Sequence, residues 1–147
     1  LGYGIELTDT IRLEADVELL EFSNFDTLPT ETGVPLPGLP TSLNQDWHDT
    51  YTIGMGGDWK FAENWIMRAS YQFFESPVPN ATLSPTIPDL NQNVLTAGIG
   101  YGNDEFSIDL GYGLVIYDER TINQGGIYDG TFDFAVHLFS LTYTRKF

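Results

Sequence analysis

The 147 residues suffice for one domain of ordinary size, and they carry six basic against 21 acidic side chains, a net charge of −15. The absence of cysteine excludes disulfides and thiolate metal sites. Nucleic acid is excluded as a partner, because no basic patch can be assembled to displace its counterions.

Period-two alternation recurs along the chain, whereas no segment keeps a 3.6-residue apolar rhythm. A short strand is predicted over 1–7, closed by the polar turn 8–10. The second, 11–24, begins with "IRLEADVEL": Ile11, Leu13, Ala15, Val17 and Leu19 fall on one face, and Arg12, Glu14, Asp16 and Glu18 on the other. A long Pro-, Gly- and Asp-rich connection, 25–49, leads to a strand at 50–61. There Tyr51, Ile53, Met55, Trp59 and Phe61 oppose Thr52, Gly54, Gly56 and Asp58. The turn 62–64 joins it to a strand at 65–75, which sets Trp65, Met67, Ala69, Tyr71 and Phe73 against Arg68, Ser70 and Gln72. Residues 76–93 form the second long connection. Strands at 94–102 and 106–118 flank the tight turn 103–105. The third long connection, 119–133, precedes a last strand at 134–147 that ends on Phe147.

Short turns and long loops therefore alternate strictly, the layout of an up-and-down barrel with all turns at one end. The expected fold is all-β: an antiparallel up-and-down transmembrane β-barrel with seven strands here, forming a single partial-barrel domain over 1–147. No apolar run approaches the roughly 20 residues of a membrane helix, but a barrel crosses with strands. A soluble β-barrel binding module is the rival, since it too has one apolar face. Aromatics near the strand ends favour the membrane: Trp59, Phe61, Trp65, Tyr101 and Phe106 by the tight turns, and Tyr51, Phe73 and Tyr117 by the long loops. A bacterial barrel has an even strand number and both termini in the periplasm. Seven strands and no signal-peptide pattern thus suggest the C-terminal part of a longer protein. Phe147 on the last strand is the expected contact for the barrel assembly machinery.

The "ESPVPNATLSPTIPD" segment and the "NQNVLTAGIGYG" after it resemble the FadL/TodX (OMPP1) family of outer-membrane transporters for long-chain fatty acids and other hydrophobic compounds. The motif positions are Ser76, Pro77, Val78, Pro79, Ile87, Pro88 and Asp89, followed by Thr96-Ala97-Gly98-Ile99-Gly100-Tyr101. "LEADVELLEFSNF" and "DTYTIGMGGDWKFAENWIMRASYQF" are similar to further family strands, with Phe22 where Trp is usual. The resemblance implies the C-terminal half of a fourteen-stranded barrel in the bacterial outer membrane. Its partners would be outer-membrane lipid and lipopolysaccharide and a hydrophobic small-molecule ligand taken up passively. A non-transport barrel, structural or receptor, is the alternative. On this reading Arg12, Glu14, Asp16, Glu18 and Arg68 line the lumen as a passage wall or as a rigidifying ion-pair network. Phe74 and His48 are further candidates at the loop rim. The family holds a fatty-acid carboxylate with basic residues, but the 25–49 loop has no Lys or Arg, so neutral hydrophobic compounds are also candidate ligands.

Asp46, His48 and Asp49 in "QDWHD" lack metal-ligand spacing and read as a solvated loop end. Asp118, Glu119, Asp129 and Asp133 read as exposed loop charge. The glycines of the three GYG triplets serve close packing rather than phosphate binding, because no helix follows them. Neither a cofactor nor catalysis is expected: His48 and His137 stand in unrelated contexts, and no serine sits in a nucleophile elbow. The prolines after Phe74 are expected to stiffen the rim of an outer loop.

Overall fold

A computed structural model describes residues 1–25, 27–29, 42–84 and 89–146; Ile87, Pro88 and Phe147 lie outside them. Among the described residues, eleven strands run in chain order. They are β1 (Gly2–Thr8), β2 (Ile11–Leu20), β3 (Thr27–Pro29), β4 (Ser42–Asn44), β5 (Thr50–Ala62), β6 (Trp65–Phe74), β7 (Gln92–Gly102), β8 (Phe106–Tyr117), β9 (Arg120–Ile122), β10 (Gly130–Phe132) and β11 (Ala135–Arg145). Seven of them form one antiparallel meander in the order β1-β2-β5-β6-β7-β8-β11. The all-β antiparallel expectation and the seven long strands are thus both seen.

Two details differ from the sequence reading. The second strand stops at Leu20, and Phe22–Asn24 make a 3₁₀ turn. The Ser23 N–H donates to Asp49 Oδ1 at 2.9 Å, which ties this turn to the entrance of β5. The outer two long connections also carry small ribbons of their own, β3 with β4 and β9 with β10. Three-residue strands are too short to show alternation, so their sequences gave no signal.

Register fixes the two faces, because a one-residue slip would exchange them. One face carries Leu13, Val17, Leu19, Ile53, Met55, Met67, Leu95, Leu110, Phe139 and Leu141, all exposed. Leu19 and Phe139 are 79% and 80% accessible, and no described element covers them. A sheet this apolar on an uncovered face needs a non-aqueous surrounding. At the turn end, a chain of neighbouring rings runs across five strands. Trp59–Phe61, Phe61–Trp65, Trp65–Tyr101, Tyr101–Phe106 and Phe106–Tyr143 have centroids 5.7, 6.3, 5.0, 5.9 and 6.0 Å apart. Tyr51 and Phe73 pair at 5.9 Å toward the loop end. Eight residues of β5 separate Tyr51 from Trp59, about 26 Å along the strand. Tilted as barrel strands are, that length covers roughly the apolar band of an outer membrane.

Tyr117 does not join the loop-end girdle. It pairs with Gln92 on the opposite face and stacks on Phe134 at 3.9 Å. Its odd position in β8 puts it out of phase with Phe106, Ile108, Leu110 and Tyr112, so alternation itself assigns it inward.

Candidate functional site

The polar face is built row by row from the cross-strand register. Glu6 faces Arg12, Arg12 faces Asp58 and Asp58 faces Arg68, a row of alternating charge across β1, β2, β5 and β6. Continuing the same row, Arg68 faces Gly98, Gly98 faces Gly111 and Gly111 faces Ser140. Nearer the loop end the rows across β7, β8 and β11 become apolar: Thr96–Gly113–Leu138, then Val94–Val115–Val136. On β2 the corresponding wall is Glu14, Asp16 and Glu18, opposite Gly56, Gly54 and Thr52. The inner wall is therefore divided into a charged sector on β1, β2 and β5 and a sector on β7, β8 and β11 that is bare at the Gly98–Gly111 row and apolar from there toward the loop end.

Arg68 links the two sectors. Its Nη1 donates to Asp109 Oδ1 at 2.8 Å, reaching from β6 to β8 over the intervening strand. Such a reach marks the face on which side chains converge, and it requires Gly100 beneath it. A Cβ at Gly100 would collide with Asp109 Oδ1 and come within 3.1 Å of Ile66 Cγ2 and 3.2 Å of Arg68 Nη1. Gly100→Val is accordingly expected to break this ion pair while β7 still pairs with its neighbours. Loss of the Arg68–Asp109 contact in a structure of the variant would check it.

A second pair joins Arg12 Nη2 to Glu14 Oε2 at 3.0 Å. Arg12 and Glu14 side chains are 54% and 58% accessible, and exposed pairs contribute about 0–1 kcal/mol. That is too little for ion pairing alone to explain the charged sector.

The loop end carries the hydrophobic core. Val78, Leu83, Leu90 and Ile122 are buried together, with Trp47, Tyr117, Phe132 and Phe134 packed against them. Proline-rich segment and β9 ribbon thus meet over the end of the sheet. Ser76 clips the segment together: its N–H donates to Asn91 Oδ1 at 2.9 Å, its hydroxyl donates to the Asp89 carbonyl at 3.0 Å, and the Val78 N–H donates back to its Oγ at 3.2 Å. Ser76, Pro77 and Val78 are all buried. These motif residues sit inside the cap rather than along its rim.

Two of the sequence candidates lie apart from the charged inner residues. Phe74 sits inward on β6, facing Thr52 and Gln92, six residues or about 20 Å along the strand from Arg68. His48 is exposed in the loop layer, where its N–H donates to the Pro77 carbonyl at 3.2 Å. With Ser76, Asp118 and Arg120 it lines a polar cleft of about 380 Å³. Arg120 was not singled out by the sequence; its Nε donates to Asn80 Oδ1 at 2.6 Å, a loop-to-loop contact without a local pattern.

Burial pushes the Asp89 carboxyl above its ordinary value, against the lowering effects of Gln92 and the Arg120 charge. An acid whose folded pKa is raised contributes stability below its unfolded value, and loses it as pH rises through the folded value. The cap is thus expected to tighten as pH falls from neutral into the window just above the usual carboxylate range. Amide exchange at Val78 and Leu90, corrected for intrinsic rate, should slow there, and Asp89→Asn should remove the dependence. Asp49 and Asp129 shift the other way. Hydrogen bonds from Ser23 lower Asp49, and those from the Gln124 and Gly125 N–H groups lower Asp129. Gly125 has φ +76°, which favours glycine at that turn.

An apolar outer face with an aromatic belt, a polar inner face and loops gathered at one end define a membrane β-barrel wall. The chain belongs to the outer membrane protein transport protein family (OMPP1/FadL/TodX), whose profile matches residues 1–147. It is an outer-membrane protein of that family. Over 83 residues it is 32% identical to the long-chain fatty acid transport protein of Escherichia coli K12, an alignment covering 56% of this chain and 19% of that protein. The Salmonella typhi protein of the same name matches equally, at 32% over 83 residues, 56% of this chain and 19% of its own length. A crystal structure of a Pseudomonas aeruginosa FadL homologue superposes with a TM-score of 0.76 and 30% identity, covering 98% of this chain and 34% of that one. The chain thus spans about a third of that homologue.

Proposed function

We propose that this chain forms the C-terminal half of a fourteen-stranded outer-membrane barrel that takes up hydrophobic compounds passively. The family is one of transport proteins, and long-chain fatty acids are the compounds named for the relatives it resembles. The observation that carries the reading is the divided inner wall. A hydrophobic solute has a path of glycine and aliphatic side chains along the loop-end half of β7, β8 and β11, from the Gly98–Gly111 row to the Val94–Val115–Val136 row, beneath a cap with an apolar core.

In this arrangement the turn end faces the periplasm and the capped end faces outward. The belted face meets outer-membrane lipid, and its loop end meets lipopolysaccharide. Phe147 is read by the assembly machinery. Arg12, Glu14, Asp16 and Glu18 line the lumen on the wall across from the path and Arg68 borders the path, while Phe74 and His48 stand near its outer entrance. Burial of apolar ligand surface at successive weak sites drives movement. No residue set here is assigned to catalysis.

The test is uptake by cells that lack their own hydrophobe transporter and carry the complete protein. A labelled long-chain fatty acid and a neutral aromatic are supplied separately. Uptake of either above the empty-vector level supports the proposal. A correctly inserted barrel that admits neither would overturn it.

A further inference from the structure

The apolar sector holds a cavity whose floor is polar. About 460 Å³ of open space is lined by Arg68, Thr96, Asp109, Gly111, Leu138 and Ser140. The Arg68–Asp109 bond engages one carboxylate oxygen and one guanidinium nitrogen. Arg68 and Asp109 side chains remain 51% and 38% accessible, and among the described residues they share only this one bond, which leaves further N–H groups and the second oxygen to meet a ligand. Toward the loop end the wall continues through Leu138 to the Val94–Val115–Val136 row, four residues along β7 from the Gly98 level beside Arg68, about 13 Å.

Chemical complementarity selects among hydrophobes. A hydroxyl both donates and accepts, so its O–H can reach Asp109 while its lone pairs meet Arg68. An ionised carboxylate only accepts. It would compete with Asp109 for Arg68 and set a further negative charge beside Asp109, with Asp58 directly opposite Arg68 in the register. A plain hydrocarbon would cover the polar floor without offering it a partner, which is unfavourable. The charge balance around the floor therefore disfavours anions, although the relatives are named for fatty acids.

We propose that this cavity binds neutral, hydroxyl-bearing hydrophobes, alkanols or phenols, with the hydroxyl on Arg68 and Asp109 and the apolar body along Leu138 toward the valine row. It prefers them over the ionised carboxylate of equal chain length. This deepens the uptake reading and rests on it for the orientation of the polar face toward a lumen.

The experiment is calorimetric titration of the complete protein, in one non-ionic detergent at pH 8, with 1-decanol and with decanoate. Wild type is expected to bind 1-decanol about tenfold more tightly, the size of a like-charge penalty in a partly solvated site. Asp109→Asn should shrink that ratio to about threefold or less by tightening decanoate, and Asp58→Asn should move it in the same direction by a smaller step. Arg68→Gln should weaken 1-decanol. Equal or tighter binding of decanoate by wild type would overturn the assignment, as would a ratio that neither Asp109→Asn nor Asp58→Asn changes. Cellular uptake without an alcohol preference in the titration sinks this assignment alone. Absence of uptake sinks the transport reading, while the titration still decides the site.

Discussion

Replacing Leu90 by alanine is expected to destabilise the loop cap by about 2–5 kcal/mol, the range for emptying a buried leucine site. Leu90 is 1% accessible, and Val78 and Leu83 beside it are 2% and 4%. Among the described residues these three and Ile122 make up the buried cluster of the cap, with the bulky rings of Trp47, Tyr117, Phe132 and Phe134 packed around it. The sheet is held differently, by ladders of backbone hydrogen bonds that a lipid surrounding makes obligatory. The expected signature is therefore local. Amide exchange at Val78, Leu83 and Ile122 should accelerate, and amides in the middle of β6 and β7 should hold. Ser76→Ala should give a smaller effect of the same pattern, about 1–3 kcal/mol, because the Val78 N–H and the Asp89 carbonyl lose their partner. Exchange that rises equally in cap and sheet would contradict a separately stabilised cap.

Gly113→Phe is expected to block uptake without preventing assembly. A Cβ there meets Leu138 Cβ at 3.5 Å and Leu138 Cδ1 at 3.7 Å, ordinary contact distances, so the substitution fits the strand. The ring then stands in the cavity between Thr96 and Leu138, its neighbours in the same row. Forcing a ligand past an overfilled site costs about 1–3 kcal/mol, roughly 5- to 150-fold in rate. Gly4→Phe is the matched control on the charged sector. Gly4 faces Glu14, and a Cβ there lies 3.7 Å from Arg12 Nη2. Its uptake should stay within about twofold of wild type, since the path runs along the other wall. Heat-modifiable mobility of both variants on gels checks that each barrel has folded.

The sheet was legible because membrane strands alternate without compromise. In "IRLEADVEL" every second residue is apolar and every other one charged, and the structure keeps that partition from Ile11 to Leu19. The same rhythm places Arg12, Glu14, Asp16, Glu18 and Arg68 on one face. Period-two reasoning says nothing about what lies across a strand, so the Arg68–Asp109 bridge over Gly100 was out of its reach. The glycines were read only as points of close packing, although at Gly100 the space serves a side chain two strands away. The cap was hidden for a related reason. Val78, Leu83, Leu90 and Ile122 come from irregular segments with no periodicity, and only the tertiary fold shows that they meet. Proline stiffness suggested a rim, whereas the buried Ser76, Pro77 and Val78 form part of a core. Tyr117 shows the opposite failure. Its parity in β8 puts it inward, and nearness to a loop does not change the face a strand residue takes.

The most direct test of a hydrophobic path along β7, β8 and β11 uses the absence of cysteine from this chain. Single Gly113→Cys and Gly4→Cys variants of the complete protein, with any cysteine outside this chain replaced by serine, are labelled by a membrane-impermeant thiol reagent with and without saturating hydrophobic solute. Bound solute should slow labelling at 113 severalfold and leave the rate at 4 unchanged. Equal labelling at 113 with and without solute, or protection at 4 instead, would contradict the divided wall as the route.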